Sequence, residues 1–109
     1  MQAHYFLIAS RDPYTHVAAR RCYELAAQLV GEGRRVTLFL VQNGVLPARP
    51  SGGSGELADL ARRGVRVLAD DFSLRERGIA PLGLAQGVEP ASLEVVIEAL
   101  EHGARALWH

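Results

Sequence analysis

The sequence predicts an α/β fold: a single three-layer α/β/α domain, residues 1–109, around a mainly parallel sheet of four to five strands. Three observations predict it. Short runs at 5–9, 35–41 and 65–69 are almost continuously apolar, as expected of strands covered on both faces. These runs alternate with segments of helical period, the order that builds parallel crossovers. A length of 109 residues with 49% apolar content is enough for one core and too little for two.

Tyr5, Phe6, Leu7, Ile8 and Ala9 make the first strand, which ends at the turn-forming cluster Ser10, Arg11, Asp12 and Pro13. Asp12 followed by Pro13 predicts a helix start, because an Asp oxygen accepts free N–H groups and proline suits the first helical position. That helix carries Ala18, Cys22, Leu25 and Leu29 in one row and Ala19, Tyr23, Ala26 and Val30 in the next. It spans roughly 18 residues and stops at Gly31 and Gly33. The second strand, 35–41, leads into a turn at Gln42, Asn43, Gly44 and Val45.

Residues 47–55 are rich in Pro, Ser and Gly and are expected to form a flexible loop, a surface connection or a lid. A short helix at 56–63 closes at Gly64, and the third strand follows at 65–69. Residues 70–78 are a polar turn with one helical turn, capped by Asp71 or Ser73. The stretch 79–88 is irregular, with a short strand or helix expected around 82–84. The last helix runs from Pro90 or Ser92 to His102, with Leu93, Val96, Ile97 and Leu100 directed to the core and Glu94, Glu98 and Glu101 to water. Gly103 ends it, and 104–108 is the final strand.

Twelve basic residues, all Arg, balance twelve acidic ones, which argues against binding nucleic acid through phosphate neutralisation. The zero sum hides an asymmetry. Residues 1–66 hold nine Arg against five carboxylates, and 67–109 hold three against seven. A single cysteine, Cys22, excludes an internal disulfide and a zinc site of several thiolates. No basic, apolar leader and no apolar run near 20 residues is present, so a cytoplasmic protein without a membrane span is expected.

Ligands of open α/β sheets sit beyond the carboxyl ends of the strands. Here those ends lead into the loops at 10–16, 42–55 and 70–78. The first offers Arg11 and His16 at a helix start, a place that favours anions, without a glycine-rich phosphate cradle. The third concentrates Asp70, Asp71, Ser73, Arg75, Glu76 and Arg77. Adjacent carboxylates at a strand end project in different directions, and no second acidic cluster supports them, so no metal is assigned, nor any cofactor. The candidate binding set is Arg11, His16, Asn43, Asp70, Asp71, Ser73 and Arg77. Cys22, in the apolar row of a helix, reads as core. His4, His16, His102 and His109 have no ligand spacing, and no G-x-S-x-G elbow is present.

The order of these segments resembles the DsrE/DsrF/DsrH family, which includes the TusD-type sulfur-relay subunits. The resemblance rests on Asp12-Pro13-Tyr14-Thr15 after the first strand and on Leu29-Val30-Gly31-Glu32-Gly33 ending the long helix. It continues with Gln42-Asn43-Gly44-Val45, with Arg77-Gly78 after the third strand, and with Ala91-Ser92-Leu93-Glu94 opening the last helix. It implies a sulfur-carrying cysteine shortly after the third strand. Counted back from Arg77-Gly78, that position falls on Asp70, or on Ala69, and a second cysteine of some members falls near Ser73. None of these is cysteine, and an Asp oxygen forms no transferable persulfide, so no catalytic residue is assigned. The resemblance implies a non-catalytic, regulatory or assembly component linked to intracellular sulfur trafficking. Its expected partners are copies of itself, as a trimer or hexamer, or DsrE-family subunits. A domain that binds a small molecule or anion through the strand-end loops is the alternative.

Overall fold

The computed structural model describes residues 3–50 and 55–108; the Ser- and Gly-rich run at 51–54 lies outside the described residues. The chain runs β1 (His4–Ala9), α1 (Val17–Gly31), β2 (Arg35–Leu40), a 3₁₀ helix (Gln42–Ala48), α2 (Glu56–Arg62), β3 (Arg66–Asp70), α3 (Asp71–Glu76), β4 (Val88–Ala91), α4 (Glu94–Glu101) and β5 (Arg105–Trp108). The five strands form one sheet in the order β4-β3-β2-β1-β5. Every pairing is parallel, as the alternation of strands and helices predicts.

Connection handedness sets the layers. The steps from β1 to β4 all move one way across the sheet, and the step to β5 returns past β1. Right-handed crossovers then place α1 and α2 on one face and α4 on the other. Alternation along the strands divides the core accordingly. Leu7, Ala9, Val36, Leu38, Leu40, Val67 and Ala69 meet Cys22, Tyr23, Ala26 and Leu29 of α1 and Leu57 and Leu60 of α2. Phe6, Ile8, Phe39, Val41 and Leu68 face Val95, Val96 and Ala99 of α4.

Local chemistry departs from expectation in four places. Asp12 does not start a helix. Its Oδ1 accepts the N–H groups of Tyr14 and Thr15, both at 3.0 Å, and its Oδ2 accepts the Thr15 hydroxyl at 2.9 Å. A short side chain that saturates its own turn competes with helix formation, so α1 begins at Val17 and has 15 residues.

The turn after β2 continues as a 3₁₀ helix through Ala48, with Gly44, Val45, Pro47 and Ala48 buried. Gly44 sits against the Ala9 carbonyl oxygen, where a Cβ would overlap it; glycine permits the approach.

No strand or helix forms around 82–84, and Leu82 is exposed. The strand comes later, as β4, on the sheet edge, where Pro90 costs no ladder bond.

The α4 helix is shorter than expected and turned differently. Leu93, Ile97 and Leu100 are 55%, 57% and 49% exposed, while Val95, Val96 and Ala99 take the sheet side. Small and β-branched side chains let the helix lie close to Phe6, Ile8 and Phe39. The larger ones are left pointing away. No helix among the described residues is long and apolar enough to cross a membrane.

Candidate functional site

β3 ends at Asp70 and the chain turns directly into α3. Asp70 keeps an extended backbone (φ −60°, ψ 121°) and caps the helix by accepting the Ser73 N–H, the role of an N-cap aspartate toward the third helical residue. The cap is therefore Asp70, not Asp71 or Ser73. The same oxygen, Oδ2, lies 2.9 Å from the Ser73 nitrogen and 2.7 Å from Ser73 Oγ. Ser73 Oγ in turn accepts the backbone N–H of Gln42 at 2.8 Å. Asp70 and Ser73 are each 4% exposed, so these bonds satisfy polar groups largely withdrawn from water.

Gln42 adopts a left-handed backbone with φ of 51°, a conformation uncommon for a residue with a Cβ. It turns the chain out of β2 and aims its N–H at Ser73. The exits of β2 and β3 are thereby tied to each other. Arg77 adds a second tie: its Nη1 donates to the Ser73 carbonyl at 3.2 Å and its Nε to Asn43 Oδ1 at 3.0 Å.

Asn43, Asp70, Ser73 and Arg77 are thus one connected group. Asp70, Ser73 and Arg77 line a cavity of about 370 Å³, with Gln42 beside them and Phe72, Leu93 and Trp108 as an apolar wall. Trp108 reaches it because β5 pairs with β1 in the register Ile8 to Trp108, which puts the end of β5 at the carboxyl end of the sheet. Asp71 is half-buried and outside this cavity. Arg11 and His16 also lie outside it; His16 Nδ1 is 2.8 Å from Thr15 Oγ1 and 3.9 Å from Asp12. Gln42, Phe72, Leu93 and Trp108 were absent from the sequence-derived set. Only Gln42, directly after a predicted strand, carried a local signal.

The chemistry open to this group is limited. The Ser73 hydroxyl proton is directed to Asp70, and among the described residues no imidazole lines the cavity to act as a base. No cluster of three or more His, Cys, Asp or Glu among the described residues is placed to hold a metal ion. Cys22 is fully buried in α1, and burial pushes its thiol up to about 12, far from the thiolate that sulfur chemistry requires.

A family model, the DsrE/DsrF-like family, matches residues 3–108. No curated protein matches the chain. Among solved structures, the ychN protein from E. coli is similar over 100% of both chains, at 20% identity and a TM-score of 0.82. The protein of unknown function MTH1491 from Methanobacterium thermoautotrophicum is likewise similar over 100% of both chains, at 21% identity and a TM-score of 0.79. BT1422 from Bacteroides thetaiotaomicron, a conserved protein of unknown function, matches 96% of this chain with 94% of its own, at 16% identity and a TM-score of 0.76. At these identities the three structures establish a shared fold.

Proposed function

Because the chain belongs to the DsrE/DsrF-like family, we propose that it serves as an assembly subunit linked to intracellular sulfur trafficking in the cytoplasm, and does not itself carry sulfur. The observation that supports this reading is the Asp70–Ser73 lock. Where the family resemblance implies a persulfide cysteine, one oxygen of a buried carboxylate accepts both its neighbour's N–H and its O–H. An oxygen so held neither attacks sulfur nor releases it. The remaining thiol, Cys22, is inside the core.

Assembly is supported by the face opposite α1. Leu93, Ile97, Leu100 and Trp108 are exposed there, and Phe72 with them. Clustered large apolar side chains on one face mark an association surface more often than isolated ones do. The proposed partners are copies of this chain, as a trimer or hexamer, or other subunits of the family. The basic front and acidic back of the chain steer such contacts. Light scattering on the purified protein, with pull-down of family subunits, tests the reading. A multimer or a captured family subunit is expected; a clean monomer that captures none overturns it.

The cavity of about 370 Å³ beside Arg77 supports a second reading, a site for a small molecule or anion using Asn43, Asp70, Ser73 and Arg77. Thermal-shift screening with nucleotides, phosphates and divalent metals tests it, and the absence of any shift removes it.

A further inference from the structure

On the α1 face of the sheet, a separate cavity of about 220 Å³ opens between α1, the loop before it, the 3₁₀ helix and the start of α2. Tyr23 enters its wall from α1. The residue is 4% exposed, and its hydroxyl is buried with no hydrogen-bond partner among the described residues. A buried polar atom left unpaired is destabilising. Phenylalanine would fill the same space without that cost. A tyrosine here is explained by a partner that its hydroxyl meets.

We propose that this cavity binds a small carboxylate with a compact apolar body, one carboxylate oxygen accepting from the Tyr23 hydroxyl. Burial raises the Tyr23 pKa, so the phenol stays protonated and needs an acceptor. At the rim, Arg49 is held by its Nε, which donates to the Leu46 carbonyl at 3.0 Å. Its two terminal nitrogens remain to meet an anion, and it has no ion pair among the described residues. Glu56, the one carboxylate on the lining, is bound to Arg20, which offsets its repulsion of an anionic ligand. Pro47, Leu57 and Ala85 give apolar walls, and the half-exposed Tyr14 ring gives a flat flank. The volume sets the size. It falls below the roughly 300–1,000 Å³ of sites for drug-sized ligands, which suits a molecule like benzoate and excludes a nucleotide.

The experiment is a titration of the full chain with sodium benzoate, followed by two-dimensional NMR, with benzyl alcohol as the uncharged analogue. Saturable shifts around Tyr23 and Leu57 are expected, with weaker binding of the alcohol. Tyr23→Phe and Arg49→Gln should each weaken benzoate at least tenfold. Tyr23→Phe should melt no lower than the parent, since it removes an unpaired hydroxyl. The proposal is overturned if benzoate gives no saturable shift, or if it binds Tyr23→Phe as tightly as the parent. It is also overturned if Tyr23→Phe melts lower, because the hydroxyl is then satisfied by water within the fold. The assembly reading stands or falls separately, on light scattering.

Discussion

Asp70 holds Ser73 twice through one oxygen: Oδ2 accepts the Ser73 N–H at 2.9 Å and the Ser73 hydroxyl at 2.7 Å. Ser73 passes the connection on to the Gln42 N–H. A helix cap and a link between neighbouring strand exits are therefore the same device.

Removing that carboxylate has a calculable effect. Asp70→Ala loses the cap and strands two buried donors, an expected cost of roughly 2–4 kcal/mol. Ser73→Ala leaves the Gln42 N–H without its acceptor and Asp70 Oδ2 with one donor fewer, but keeps the cap, and should cost about 1–2 kcal/mol. Urea denaturation of both variants checks the order. Equal and negligible losses would show that the link is not structural.

Cys22 should be inert in the folded chain. With the thiol pushed up to about 12 by burial, thiolate is scarce at neutral pH. Incubation with polysulfide should add no sulfur under native conditions and one persulfide after denaturation, read by intact mass. Rapid labelling of the native protein by 32 Da, the mass of one sulfur atom, would contradict the burial of this helix position.

The outward row on α4 predicts where association breaks. Ile97→Glu with Leu100→Glu touches neither core cluster, so the variant should still fold, its urea stability falling only by the association free energy it loses. The assembled state should dissociate. Trp108, the single tryptophan, is 67% exposed in the isolated chain. Its emission should move to longer wavelength as the variant becomes monomeric.

Gly44→Ala should be severe for a single methyl. The new Cβ would overlap the Ala9 carbonyl oxygen, which also accepts the Val41 N–H at 2.9 Å. Backbone cannot yield as a side chain does, so a loss of at least about 2 kcal/mol is expected in chemical denaturation. A variant as stable as the parent would show that the 3₁₀ helix is free to shift.

His4 makes stability depend on pH. Its Nε2 lies 2.8 Å from Thr37 Oγ1. Burial lowers its pKa below 6.5, and the nearby Arg35 and Arg66 push the same way. Below pH 6.5 the unfolded chain takes up a proton that the folded chain resists, so this contribution to stability is lost as pH falls toward the folded value. Above pH 6.5 both states are neutral and the dependence vanishes. NMR titration of the His4 ring should give a midpoint below 6.5, and Arg66→Gln should raise it. A midpoint at or above 6.5 would rule out the burial argument.

Much of the fold was legible in the residues themselves. The apolar runs of β1, β2 and β3 and the paired rows of α1 needed no partner to be recognised, because their period is a local property. So did the order of segments that carries the family resemblance, and the absence of cysteine at Asp70 and Ser73. The α4 stripe marks the limit. Leu93, Val96, Ile97 and Leu100 share a period, but a period reports a stripe and not what covers it. Asp12 illustrates a different limit: an Asp before Pro serves a helix start or its own turn equally well, and only the surrounding chain decides.

What the sequence determined by itself is the strands β1, β2, β3 and β5, the absence of a strand-end thiol and the charge asymmetry, all of which follow from residue type and spacing. The tertiary structure alone decided that β5 pairs beside β1 and brings Trp108 to the strand exits. It also decided that Gln42 reaches Ser73 across 31 residues, and that α4 turns its larger side chains outward. The physical reason is the same in each case. These relationships join groups far apart in the chain, and their free energy exists only once the sheet has brought the partners together.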